Sequence, residues 1–182
     1  KSYEMKIIKE PHTLLRKVKE LRYNSFFGKE TNKISSDSDE FDNFCEHLVV
    51  VDKSISDDFV VGTYRLLHKP KKSNGKGFYS ESEFNINNLL NKNFSMLEAG
   101  RSCVHEKYRD GRIIKLLWRG LATYIVNKKV ELIFGCASFP SSKSKSFEKQ
   151  LSYLHHYHMP PKDYLTFPHN HLKASFEVIP KN

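Results

Sequence analysis

The spacing of apolar and polar positions divides the chain into short segments. Ser2 to Lys9 reads as a first strand. Pro11 then opens a helix that places Leu14, Leu15, Val18 and Leu21 on one face and ends near Gly28. Two β-rich runs, His47 to Asp52 and Phe59 to Leu67, flank Ser54-Ile55-Ser56-Asp57-Asp58 and predict a hairpin. A short helix is expected within Ser80 to Leu90, and a strand over Ser95 to Val104. Gly111 to Asn127 carries the clearest helical period, with Ile113, Leu117, Leu121 and Ile125 in one stripe widened by Trp118 and Tyr124. Val130 to Ala137 reads as a short apolar strand. Phe147 to His158 reads as an amphipathic helix, stopped by Pro160 and Pro161. Two polar stretches interrupt this pattern. Lys29 to Asn43 is too long for a plain connector and is expected to be a mobile segment or a substrate lid. His68 to Gly77, with Lys69, Lys71, Lys72 and Lys76, is a basic loop. The order is β–α–β–β–(α)–β–α–β–α. The early hairpin implies antiparallel strands and the late strand–helix–strand unit a parallel pair, hence a mixed α/β sheet.

Composition narrows this picture without changing it. At 182 residues a single domain with a real core is the expectation. Lys and Arg outnumber Asp and Glu by 30 to 21, and the resulting +9 favours anionic partners such as an acidic protein or an anionic membrane surface, or else serves solubility. Nucleic acid is the poorer match for the basic loop, because no aromatics are interleaved there for stacking. Cys45, Cys103 and Cys136 are odd in number and lack CxxC spacing, so they read as free thiols in a reducing, cytoplasmic compartment. No run approaches the length of a membrane span and no secretory leader is evident; the start at Lys1 suggests a missing or processed N-terminus. His155, His156 and His158, with His169 and His171, fall short of a metal site, since adjacent histidines on a helix point apart. No metal is expected.

The stretch that points to chemistry is Leu97-Glu98-Ala99-Gly100-Arg101-Ser102-Cys103-Val104, followed by Tyr108-Arg109-Asp110-Gly111-Arg112 and the apolar helix. A strand carrying an acid and a base runs through a polar turn into a helix whose first turn is cationic. Free N–H groups and the dipole at such a helix start attract anions.

These residues resemble the GNAT acyltransferase superfamily, and within it the ornithine-lipid N-acyltransferases, related to the acyl-homoserine-lactone synthases. The pieces that carry the resemblance are Leu21-Arg22-Tyr23 with Phe26, Asp39-Glu40-Phe41-Asp42 running into Cys45-Glu46-His47-Leu48, and Val61-Gly62-Thr63-Tyr64-Arg65-Leu66-Leu67. Phe78-Tyr79-Ser80-Glu81-Ser82-Glu83-Phe84, the 97–104 and 108–112 stretches, Leu116-Leu117-Trp118-Arg119-Gly120, Phe134-Gly135-Cys136-Ala137-Ser138-Phe139 and Leu151-Ser152-Tyr153-Leu154-His155-His156 complete it. The resemblance implies a GNAT-like, mainly antiparallel twisted sheet flanked by helices. It also implies transfer of a 3-hydroxyacyl chain from acyl carrier protein to the α-amino group of ornithine. Two departures stand out. Gly111 has Tyr108 three before it and Ile113 two after it, so the usual coenzyme-A loop is degenerate, as a carrier-protein donor would allow. The chain also ends at Asn182, where further strands are expected. Alternatives are a coenzyme-A-dependent acyl or acetyl transfer to another amine, an acyl-homoserine-lactone synthase, or an inactive remnant that only binds carrier protein. No tightly bound cofactor is implied beyond the phosphopantetheine thioester donor, and peripheral contact with the inner membrane fits the charge.

The chemistry assigns expected roles. An α-amino group has a pKa of about 8, so a base must help free its lone pair at neutral pH. Glu98, in mid-strand, is the candidate base, or else a surface carboxylate or a partner of Arg101. Arg101 lies on the opposite face of an ideal strand; a bulge permitted by Gly100 would bring the two together, letting Arg101 hold an acyl or acceptor oxygen or orient the base. Arg22 and Arg65 suit a carboxylate bidentately, or form framework pairs with Asp42 or Glu46; by resemblance, Phe26 and Asp42 join the acceptor side. The N–H groups of Cys103 and Val104 are expected to meet the oxyanion, and Arg109, Gly111 and Arg112 the phosphate of the donor arm.

Overall fold

A computed structural model describes residues 2–28, 36–73, 75, 77–141 and 143–181. The chain divides into two compact units, Lys1–Ser73 with Ser95–Gly135, and Asn74–Phe94 with Cys136–Asn182.

The first unit is built on five strands: β1 (Tyr3–Lys9), β2 (Glu46–Asp52), β3 (Val60–Lys69), then β5 (Met96–Val104) and β6 (Leu132–Phe134), arranged β1-β2-β3-β5-β6. The first four pair antiparallel and β5–β6 is the parallel pair, so the expected mixed sheet is observed. Helix α1 (Leu15–Phe27) covers one face and α3 (Arg112–Lys128) the other. The two faces hold separate cores. Val18, Leu21, Val49, Val51, Val60 and Cys103 lie under α1, while Leu48, Val50, Val61, Leu66, Leu97, Ile113, Leu117 and Leu121 lie under α3. Alternation along β2 sorts Leu48 and Val50 from Val49 and Val51, as a strand buried on both faces requires.

The second unit contains β4 (Phe84–Asn85) paired with β7 (Phe167–Pro168), the short α2 (Asn87–Leu90), and α4 (Glu148–Tyr157). The short helix expected within Ser80 to Leu90 is α2, preceded by a 3₁₀ turn at Tyr79–Ser82 and by strand β4. Other boundaries shift modestly. Helix α1 begins at Leu15 rather than Pro11, after a turn in which the Leu14 N–H donates to His12 Nδ1 at 3.1 Å. Strand β6 is three residues long where eight were expected. Of the polar stretch 29–43, residues 29–35 fall outside the described residues, as does Lys76 of the basic loop. Within 36–43, Glu40–Asn43 forms a 3₁₀ turn closed by a capping box: Phe41 N–H donates to Asp39, and Asp39 N–H to Asp42. No helix of the described residues is long and apolar enough to cross a membrane. Nor do three His, Cys, Asp or Glu side chains converge among them as a metal site.

Candidate active site

One irregularity organises the site. Opposite β3, the pairing steps from Thr63↔Cys103 to Arg65↔Gly100, so β5 carries one extra residue. Arg101 sits in the bulge with φ 49°, a left-handed conformation that a side chain adopts only at a cost of about 1–3 kcal/mol. The extra residue reverses the alternation of the strand. Leu97 belongs to the core under α3 and Cys103 to the core under α1, although an even spacing of six would put them on one face. Glu98 therefore shares the α1 face with Arg101. The bulge that Gly100 would permit is present, and its strained residue is the arginine itself.

Glu98 is 6% exposed, paired in register with Leu67 on one side and Phe134 on the other, so it lies inside the sheet and not on an edge. Beyond this point β6 ends while β5 continues for six residues to Val104. The two strands thus diverge in a fork. At its root Gly135 runs so close to β5 that an added Cβ would collide with the carbonyl oxygen of Ala99. Past the root, the β6-facing edge of Arg101–Val104 has no strand neighbour among the described residues; alternation along the strand turns the Val104 N–H to that open side, whereas the Cys103 N–H, expected beside it, faces Thr63 of β3.

Beside Glu98 lies a cluster of three arginines and three aspartates. Arg22, fully buried, donates from Nε to Asp37 Oδ2 at 2.7 Å, from Nη1 to Asp42 Oδ1 at 2.7 Å, and from Nη2 to the Asp37 carbonyl at 2.8 Å. Arg65 donates to Asp39 at 2.6 Å and Asp42 at 3.3 Å. Arg101 Nη2 stands 3.7 Å from Asp37 and 3.6 Å from Asp39, and its guanidinium lies 5.7 Å from the ring centre of Phe26. Burial works against the Arg22 charge, but the bonds from Asp42 and Asp37 more than offset it and its pKa is raised. Burial likewise opposes the Asp42 carboxylate, yet Arg22 pulls its pKa down to about 2.

Of the expected acceptor residues, Arg22 and Asp42 are wholly buried and spend their charges on each other, so neither side chain reaches solvent. The exposed rim consists of Phe26, Arg101 and Asp39. Arg65 lies between the two layers, 5% exposed, with its guanidinium 5.5 Å from the Phe41 ring centre. Asp37, Asp39 and His47 were given no role from the sequence, although Asp39 and His47 lie in stretches that carry the resemblance. The signal for Asp39 was its capping-box spacing to Asp42; Asp37 carried none. His47 sits fully buried on the same face, its Nε2 4.0 Å from Asp42 Oδ1 and neither ring nitrogen hydrogen-bonded among the described residues, and burial drives its pKa down to about 4.

Cys45 and Cys103 are buried free thiols. Burial pushes Cys103 up to about 11, against a hydrogen bond from Ser25, and Cys45 up to about 12. A thiol raised this far remains protonated at neutral pH. At the helix entry, Gly111 adopts φ 90°, with open space where a Cβ would stand; the glycine is required by its backbone angle and not by close packing. Asp110 caps α3 by accepting from Arg112 N–H at 3.0 Å and binds the same guanidinium through Nε at 2.9 Å. Arg109 donates to the Val104 carbonyl at 3.1 Å. An anion arriving here shares Arg112 with Asp110.

A sheet forked beside a strand bulge, with a helix starting just past the fork, defines an acyltransfer fold. The chain belongs to the GNAT acetyltransferase family, whose domain model matches residues 21–119. It is 42% identical over 132 residues to the L-ornithine N(alpha)-acyltransferase of Agrobacterium fabrum, covering 70% of this chain and 45% of that protein. To the enzyme of the same name from Brucella abortus it is 34% identical over 174 residues, covering 89% and 62%. The chain therefore spans roughly half to two thirds of these relatives' length. Among solved structures, an aminoglycoside acetyltransferase from an uncultured soil metagenomic sample matches with a TM-score of 0.52 at 12% identity, covering 100% of this chain and 97% of that one. The AHL synthase LasI matches with a TM-score of 0.50 at 13% identity, covering 74% and 71%. At such identities these two structures speak to the fold alone.

Proposed function

We propose that this chain is an N-acyltransferase that moves a 3-hydroxyacyl chain from acyl carrier protein to the α-amino group of ornithine. The observation that carries the reading is the β5 bulge, which sets Glu98 and Arg101 on one face beside the open fork. The name shared by the relatives in Agrobacterium and Brucella supports ornithine as acceptor. Charge supports it too. Among the described residues, Arg22, Arg65 and Arg101 face Asp37, Asp39, Asp42 and Glu98, leaving one negative charge for a cationic amino acid.

In this reading the donor arm lies in the fork, its phosphate beside Arg109, Gly111 and Arg112, and its thioester carbonyl near the N–H of Val104. Glu98 takes a proton from the ammonium of the acceptor. The freed lone pair attacks the thioester carbon, a C–N bond forms and the C–S bond breaks; the attacking nitrogen gives its second proton to the departing thiolate, leaving a neutral amide and a thiol, and the proton held by Glu98 passes to solvent. Phe26, Arg65 and Arg101 contact the acceptor, Arg101 reaching its carboxylate. Arg22 and Asp42 act behind them, holding Arg65 and the Asp39 turn in place. The test is a mass-spectrometric transfer assay with 3-hydroxyacyl carrier protein and ornithine. The expected product is N-acyl ornithine; transfer to another amine only, or from coenzyme A only, would replace the acceptor or the donor in this reading.

A further inference from the structure

Several lysines of the first unit face a carboxylate: Lys6 lies 3.1 Å from Glu4, Lys19 3.2 Å from Glu10, and Lys71 2.8 Å from Glu131. At the start of α3 the Asp110 carboxylate is taken up by Arg112. Lys107, Lys115 and Arg119 are exposed and meet no carboxylate among the described residues. His105 to Lys129 holds seven Lys and Arg against two acidic residues, so more than half of the chain's +9 surplus falls on one helix and its entry turn. Trp118, the single tryptophan, is 56% exposed on this surface, three residues from Lys115 and adjacent to Arg119. An exposed tryptophan among unpaired cations has the composition of an interface hot spot.

We propose that this face of α3, with Lys107, Lys115 and Arg119 around Trp118, is the docking surface for an acidic carrier protein presenting the thioester on its phosphopantetheine arm. The proposal rests on the donor reading above. The arm joins its carrier through the same phosphodiester that Gly111 and Arg112 would seat. Any protein holding that arm therefore lies against the first turns of α3, where the unpaired cations stand. Opposite charge steers the encounter, and the tryptophan supplies an apolar contact. A lipid surface fits less well. A helix lying in a membrane interface buries an apolar face there, but Ile113, Leu117, Leu121 and Tyr124 of α3 are already in the core.

The test is titration of the chain with acyl carrier protein, read by the emission of Trp118. The expected result is a saturable shift that weakens steeply with salt. The double variant Lys115→Glu/Arg119→Glu should weaken binding at least tenfold and Trp118→Ala about fivefold by calorimetry. Lys71→Glu/Lys72→Glu in the basic loop should leave it within twofold. Transfer from a free acyl-pantetheine thioester should be unchanged in the α3 variant, while KM for the carrier-borne donor rises. Equal carrier affinity in the α3 variant, an unmoved Trp118 emission at saturating carrier, or a response to phosphatidylglycerol vesicles and not to carrier would each overturn the proposal. Carrier binding through α3 without N-acyl ornithine would uphold docking and remove the acceptor reading. Product formed with an unchanged carrier KM in the α3 variant would remove docking alone.

Discussion

Glu98 and Arg22 are both buried ionisable residues, and they differ in what surrounds them. Arg22 is saturated by two aspartates, whereas Glu98 sits at the root of the fork, where a substrate would reach it. Their substitutions should separate accordingly. Glu98→Gln keeps shape and removes the base, so turnover should fall about 100-fold or more, with donor affinity within twofold. Unchanged turnover in a single-turnover assay would take the base role from Glu98. Arg22→Met takes the shortest ion pair from both Asp37 and Asp42, leaving only Arg101 at 3.7 Å and Arg65 at 3.3 Å, a loss of about 3–5 kcal/mol in urea unfolding. If Arg22→Met instead left stability intact and raised KM for ornithine alone, Arg22 would contact the acceptor directly. The sequence left these alternatives open for Arg22, because a guanidinium suits a substrate carboxylate and an aspartate equally well. Only the burial of both Arg22 and Asp42 separates the two.

At the scale of the element, the strand β5 shows what hydrophobic spacing conveys and what it omits. The run from Ser95 to Val104 was legible as a strand, and Gly100 marked the place where it could bulge. Which residue takes the left-handed angle was not legible. Arg101 has no intrinsic preference for it and is held there by Asp37, Asp39 and the step in register with β3. The parallel β5–β6 pair followed from the helix between the two strands, but the fork did not. It depends on β6 stopping after three residues and on the close approach of Gly135 to Ala99. Gly135→Ala is therefore a test of the fork as an element. Its methyl group meets a main-chain carbonyl that cannot rotate away, so β6 must shift. A stability loss of about 1–3 kcal/mol is expected, together with a raised KM for the donor and little change in that for the acceptor. An unaltered donor KM would mean that the root of the fork does not set the width of the donor slot.

Over the whole molecule, the order of strands and helices was legible, whereas the aspartate-rich turn was not. Asp37, Asp39 and Asp42 lie in a stretch without hydrophobic period, which reads as loop; their partners Arg22, Arg65 and Arg101 come from a helix and two strands far apart in sequence. Joining a polar turn to three separate elements through buried charge makes folding sensitive to pH. His47 titrates at about 4 in the folded protein against 6.5 as an ordinary histidine. Between those values the unfolded chain binds the extra proton, so stability present above pH 6.5 is lost as pH falls towards 4, by about 3 kcal/mol in all. Asp42 acts in the same sense lower down, from 3.8 to about 2, and removes about 2 kcal/mol more. Urea unfolding measured from pH 7 to 3 should therefore show a decline that begins near 6.5, well before ordinary carboxylates titrate. His47→Gln removes the titrating group, so its curve should be flatter than that of the parent between pH 6.5 and 4.5 while keeping the steeper fall below 4. Parallel curves for the two proteins across the upper window would place the acid sensitivity elsewhere than at His47, and a fall absent below pH 4 would do the same for Asp42.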